Sequence, residues 1–260
     1  MDDAFVVPSY VFATPVLGGQ AAVSMATVFG RVSASLAGAL SGSLATPLGS
    51  IPFMRSDSIG DSVTGFGDLY PRASLKWNQG VHNFMTYVTG DIPVGAYDST
   101  RLANIGIGHG AIDGGVGYTY LNPLTGYEFS ITTGLTGNFK NTDTQYTNGV
   151  DWHADWGASK FLSKQLFVGA VGYFYNQLTG DSGSGDRVGA FKSRVIGIGP
   201  QLGYLFPAGE GTQGYLNLNG YKEFDEAHRP GGYNVWLTLA FSPAAPGEAP
   251  PAARRPMITK

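Results

Sequence analysis

A chain of 260 residues with only 13% charged side chains, 39 glycines and 13% aromatics has room for one large β-domain, and no break in composition divides it. The net charge of −3 offers no clustered Lys and Arg to hold the phosphates of a nucleic acid. Zero cysteines exclude disulfides, thiolate zinc sites and cysteine nucleophiles together, and no run approaches the roughly 20 apolar residues of a membrane-spanning helix.

The chain opens on Met1-Asp2-Asp3-Ala4, which carries neither the basic nor the apolar region of a secretion signal. Strands are expected near residues 7–17 and 20–37, followed by a long polar loop over 38–61. From residue 62 onward the sequence alternates polar and apolar for roughly 10 residues at a time and then breaks at Gly, Pro, Asn or Asp, as transmembrane barrel strands do. Segment 68–77 sets Asp68, Tyr70, Arg72, Ser74 and Lys76 against Leu69, Pro71, Ala73, Leu75 and Trp77. Less regular strands follow near 80–94 and 105–121. The clearest strand is 127–139, where Tyr127, Phe129, Ile131 and Leu135 share one face and Glu128, Ser130, Thr132, Thr136 and Asn138 the other, the period of two that a strand requires. In 150–159, Asp151, His153, Asp155 and Ser159 oppose Val150, Trp152, Ala154, Trp156 and Ala158. Further strands are expected at 164–178, 190–206, 215–224 and 231–241, with Glu223 on the polar face of 215–224.

The connections alternate in length. Tight turns fall near 78–80, 122–125 and 162–164, and longer polar loops near 95–104, 140–148, 179–189 and 225–230. Short turns at one end and long loops at the other mark bacterial outer-membrane barrels. The fold class is therefore all-β, an antiparallel up-and-down transmembrane β-barrel of about 12 strands. Eleven strands are read here, and bacterial single-chain barrels have an even number, so a first strand and a signal peptide are expected upstream of Met1. Residues 1–242 form a single β-barrel domain, and the Pro- and Ala-rich tail 243–260 reads as disordered.

If the polar faces line a lumen, Asp68, Arg72, Lys76, Glu128, Asp151, His153, Asp155 and Glu223 project into one interior of mixed charge. They either contact solute or satisfy one another as internal ion pairs and hydrogen bonds, the second favoured because buried charges need partners. Asp151, His153 and Asp155 stand about 7 Å apart along one strand face, too wide for one metal ion without a partner strand. His82, His109 and His228 have no ligand at useful spacing and are expected at the surface or an interface. No compact serine-nucleophile motif appears, so catalysis is not expected. Gly106-Ile107-Gly108-His109-Gly110-Ala111 lacks the helix that a dinucleotide loop needs, and reads as glycine packing in a strand.

Several segments carry a family resemblance. Thr64-Gly65-Phe66-Gly67-Asp68 opens a strand, and Asp91-Ile92-Pro93-Val94-Gly95-Ala96-Tyr97 closes the next. Leu102-Ala103-Asn104-Ile105-Gly106, Asp143-Thr144-Gln145-Tyr146, the run from Gly172-Tyr173-Phe174-Tyr175 to Gly180-Asp181, and Lys222-Glu223-Phe224-Asp225 follow in order. Over residues 7–242 the chain resembles the outer-membrane transporter family labelled "MetA-pathway of phenol degradation". The resemblance implies a barrel of about a dozen strands in the bacterial outer membrane that takes up small, aromatic or hydrophobic solutes passively, with no cofactor. Its partners would be the outer-membrane lipid bilayer and the solute, with no nucleic acid. Two rivals remain beside that reading: a plugged structural or interaction barrel without transport, and a soluble lipocalin-like binding protein.

Overall fold

The computed structural model describes residues 2–46, 49–187 and 189–244. Every regular element among them is a strand: β1 Asp2–Val6, β2 Ser9–Val11, β3 Gln20–Thr46, β4 Gly49–Gln79, β5 His82–Asp91, β6 Ala111–Asn122, β7 Tyr127–Asn138, β8 Asp151–Phe161, β9 Leu166–Gln177, β10 Arg194–Pro207, β11 Thr212–Ala227 and β12 Tyr233–Pro243. They form one antiparallel sheet in chain order. β1 and β2 both pair with β3, and so act as two halves of one interrupted strand. The sheet thus has eleven positions, the number read from the sequence.

Period-two alternation decides which way the sheet curls. On β12, Tyr233, Val235, Leu237, Leu239 and Phe241 are all exposed on one face. On β8, Asp151 and Ser159 are buried on the other. Apolar side chains thus cover the convex face and polar side chains fill the concave one, the reverse of a soluble sandwich core. The curl brings the concave-face rings of Phe5 on β1 and Trp236 on β12 to a centroid separation of 5.7 Å, although no ladder joins these two strands among the described residues. Trp236 therefore faces inward.

Local chemistry sets the short turns. Between β6 and β7 the Asn122 side-chain oxygen accepts from the backbone N–H groups of Leu124 and Thr125, and Gly126 takes a left-handed φ of 68° that a β-carbon would strain. The connections 92–110, 139–150 and 178–193 lie at the opposite end of the sheet.

Three expectations need correction. Segment 38–61 is not a loop: β3 and β4 stay paired from Ala34 with Asp61 to Thr46 with Gly49, as a two-stranded arm beyond the rest of the sheet. The strand expected from 105 begins only at Ala111, because 93–110 folds back against β4 (below). Gly106 to Ala111 is accordingly not strand packing for the most part, and His109, expected at the surface or an interface, is 9% exposed where this loop lies on the sheet. The tail beyond 244 lies outside the described residues.

Candidate functional site: the concave face

The concave face is organised by a bulge. Thr27 pairs with Leu69 but Phe29 with Phe66, so Gly67 and Asp68 of β4 stand together opposite Val28. One extra residue exchanges the faces of a strand beyond it. Asp68 below the bulge and Asp61 above it, seven residues apart, consequently serve the same side. Both bind the connection between β5 and β6. Asp68, 1% exposed, accepts from the backbone N–H of Gly95 and of Ile107, each at 2.8 Å. Asp61 accepts from Arg101 at 2.7 Å and from the backbone N–H of Ala103 at 3.1 Å. The Arg101 guanidinium, with the Ala103 N–H, holds the Asp61 carboxyl far below the usual carboxylate range. A β-carbon on Gly95 would lie 2.5 Å from the Gly67 carbonyl carbon, which shows how tightly this loop lies on the strand. Ala103 and Ile105 are buried by the same contact.

Beside this strapped loop, at the long-loop end, lies a polar cavity of about 640 Å³. Asn138, Asp151 and Tyr175 wall it from the sheet, and His109, Asn141 and Tyr146 from the loops. Asp151 accepts from Asn138 Nδ2 at 2.8 Å and from Tyr175 Oη at 2.7 Å. Tyr146 donates to Asp181, which also accepts from Gln177 Nε2 and from the Gly149 N–H. Burial and the Asp181 carboxylate push the Tyr146 phenol above its ordinary pKa.

At mid-height, His153 Nε2 meets Asp113 Oδ2 at 2.8 Å, and its Nδ1 is 3.9 Å from Asp155. Thr136 donates to the same Asp113 oxygen. Arg72 lies 4.5 Å above the Tyr87 ring. Toward the long-loop end of β11, Glu223 accepts from Tyr173 Oη at 2.6 Å. Toward the short-turn end, Glu128 accepts from Ser130, and Lys76 lines a separate cavity with Asn78, Asn83 and Met85.

The eight residues singled out in the sequence thus lie on one concave surface, yet only His153 and Asp155 approach each other as a pair. Tyrosines, asparagines and loop N–H groups partner most of the others, in place of the expected mutual ion pairs. Asp151 and His153, neighbours on one strand face, turn to different partners. Sequence reading missed Asp61, Arg101 and Asp113. Asp113 was legible, since it alternates with Gly115, Gly117 and Thr119 against Ile112 and Val116; Asp61 was hidden by the bulge.

A family model described as "Putative MetA-pathway of phenol degradation" matches residues 4–239 of the chain. No curated protein matches. Among solved structures, the COG4313 outer membrane channel from Pseudomonas putida F1 superposes with a TM-score of 0.67 over 92% of this chain and 82% of that one, at 13% identity. The two share their fold.

Proposed function

We propose, from the premise that this chain belongs to the family described as "Putative MetA-pathway of phenol degradation", that it is a channel of the bacterial outer membrane for passive uptake of small aromatic or hydrophobic solutes. The observation that carries the reading is the division of the sheet into an apolar convex face and a polar, hydrogen-bonded concave face. That division suits a strand wall between lipid and water, because backbone groups in lipid must all be paired within the sheet. Likeness to an outer membrane channel supports it. Transport along such a wall uses no chemical step, and the eight inward-facing residues, Asp68 through Glu223, would grade the path electrostatically. A plugged barrel is favoured by one observation, the loop of residues 93–110 strapped to the concave side of β4.

Liposome swelling separates these readings. Refolded protein is reconstituted, and benzoate-sized aromatic acids are compared with sugars of equal size. Faster entry of the aromatics is expected. Absence of any flux from protein shown to be folded and inserted would leave the plugged barrel.

A further inference from the structure

The bulge that exchanges the faces of β4 also decides which way the two-stranded arm turns its apolar side. Asp68 and the even-numbered positions below it look to the concave side. Above the bulge the odd-numbered positions do, as the contacts of Asp61 with the loop of residues 93–110 show. A β-carbon on Gly65 would likewise lie 3.5 Å from Ala96 of that loop. No further register shift interrupts β3 and β4 from Ala34 with Asp61 to Thr46 with Gly49, so alternation carries the same side up the arm.

That side is apolar. It holds Leu36 and Ile59 as a cross-strand pair directly above Asp61, then Leu40, then Phe53 opposite Gly42. All four are exposed, from 42% at Phe53 to 64% at Leu40. The reverse side holds Ser35, Ala37, Ala39 and Ser41 opposite Gly60, Ser58, Ser56 and Met54. The wall of the sheet turns its apolar residues outward; the arm turns them to the pore side.

The floor of this strip is Gly38, where a β-carbon would meet nothing within 4 Å. Leu36 and Leu40 flank it along β3, and Asp57 and Arg55 stand across on β4. The Phe53 ring lies over Gly42, 2.9 Å from where a β-carbon would be, and closes the upper end. A flat floor, aliphatic walls and a guanidinium at the edge suit an aromatic ring, whose face attracts a cation.

Two other occupants do not fit. Ile59 is 20 residues above Gln79 at the short-turn end of β4, whereas barrel strands cross the hydrocarbon in about 9–11 residues, so lipid does not reach it. From Leu36 to Gly42 the strip is about 20 Å long and about 10 Å wide. That is roughly a quarter of the 800 Å² that a stable protein interface buries on each partner, too little to hold a second chain.

We infer that the pore-side face of the arm, with Gly38 as its floor, is a weak binding site for small aromatic molecules, which it collects outside the membrane above the concave face. This inference takes its solute from the channel reading and adds a place where that solute is received before the pore.

The test is photolabelling of the protein in proteoliposomes with 3-trifluoromethyl-3-phenyldiazirine, mapped by mass spectrometry. Entry of benzoate and of arabinose is measured on the same vesicles, and folding of each variant is verified by its heat-dependent mobility on SDS gels. Labels are expected on Leu36, Leu40, Phe53 and Ile59 as well as on the lipid-facing surface, and excess benzoate should displace only those on the arm. In the triple variant Leu36→Ser, Leu40→Ser, Ile59→Ser, labelling of the arm should fall about fivefold. Benzoate entry at low concentration should slow in that variant while arabinose entry stays unchanged. Gly38→Val adds apolar surface yet fills the floor, so it too should lower labelling of the arm. Equal labelling of both faces of the arm, or a rise in Gly38→Val, overturns the inference. Label that joins the arms of two chains also overturns it, and assigns the face to a second copy. Flux that persists in any of these cases leaves the channel reading standing. If the folded wild type admits neither solute while labelling of the arm remains displaceable, the channel reading fails and the binding site survives it.

Discussion

Two carboxylates on one strand, Asp61 and Asp68, carry the contacts that hold the loop of residues 93–110 on the concave surface. Their failures should differ. Asp68→Ala strips two buried N–H groups of their acceptor, a loss of about 2 kcal/mol or more. Asp61→Asn removes a charge at the solvent edge and weakens the loop locally. Arg101 is the sole Lys or Arg between Lys76 and Lys140, so trypsin cleavage after it reports loop release. Both variants should be cut there faster than the wild type, and Asp68→Ala should also unfold at lower temperature in detergent. Equal cutting rates would show that the loop is held by something else. The pH response follows from sign. Asp61 is depressed in the folded state by Arg101 and the Ala103 N–H, so its contribution is complete above the ordinary carboxylate range and disappears only well below it. Wild-type conductance should therefore stay flat between about pH 7 and pH 5; a step in that window would assign loop control to another group. Asp68 was legible from alternation alone, because it belongs to the regular stretch below the bulge. Asp61 was not, since alternation carried across an unseen extra residue assigns the wrong face.

Among the elements, the two-stranded arm is the one that sequence periodicity misread. Its composition, rich in Ala, Gly and Ser between 33 and 50, resembles loop, and pairing between two strands leaves no alternation signature when both faces meet solvent. Leu36, Leu40, Met54 and Ile59 are all exposed along it. From Ala34 with Asp61 to its tip the arm extends about 40 Å at strand rise. Two isolated strands are marginal in water, and beyond Asp61 no other strand pairs with them. Replacing residues 38–57 by a short Gly-Ser turn should accordingly leave the melting temperature and the heat-dependent gel shift of the barrel unchanged. A drop in either would reveal that the arm packs on the barrel. By contrast, β7 was readable to within a residue, because one face there carries Ile131 and Leu135 and the other Thr132, Thr136 and Asn138 without interruption.

At the scale of the whole molecule, the count of eleven positions has a geometric result. β12 descends from the long-loop end to the short-turn end, and so do β1 and β2, since each next strand of an antiparallel sheet reverses. Edges that run the same way cannot join in the antiparallel ladder used everywhere else in this sheet, although parallel pairing is open to them. In lipid, unpaired edges cost several kcal/mol per exposed group, which drives them together or onto another strand. Contact between the Phe5 and Trp236 rings at 5.7 Å places the edges side by side on the concave face. The absence of native cysteine makes this directly testable. With Phe5→Cys and Trp236→Cys in one chain, a bismaleimide of about 10 Å reach should join the two within a single folded molecule, shifting its unheated mobility, and should fail after heat denaturation. The reach exceeds that of a disulfide, whose Cα atoms must approach within about 7 Å, a distance no residue pair of β1 and β12 attains. Efficient linkage in proteoliposomes would establish a sheet curled onto itself with its ends adjacent. Linkage only between separate molecules would mean that the edges face neighbouring copies, and the concave surface would then be shared across an assembly.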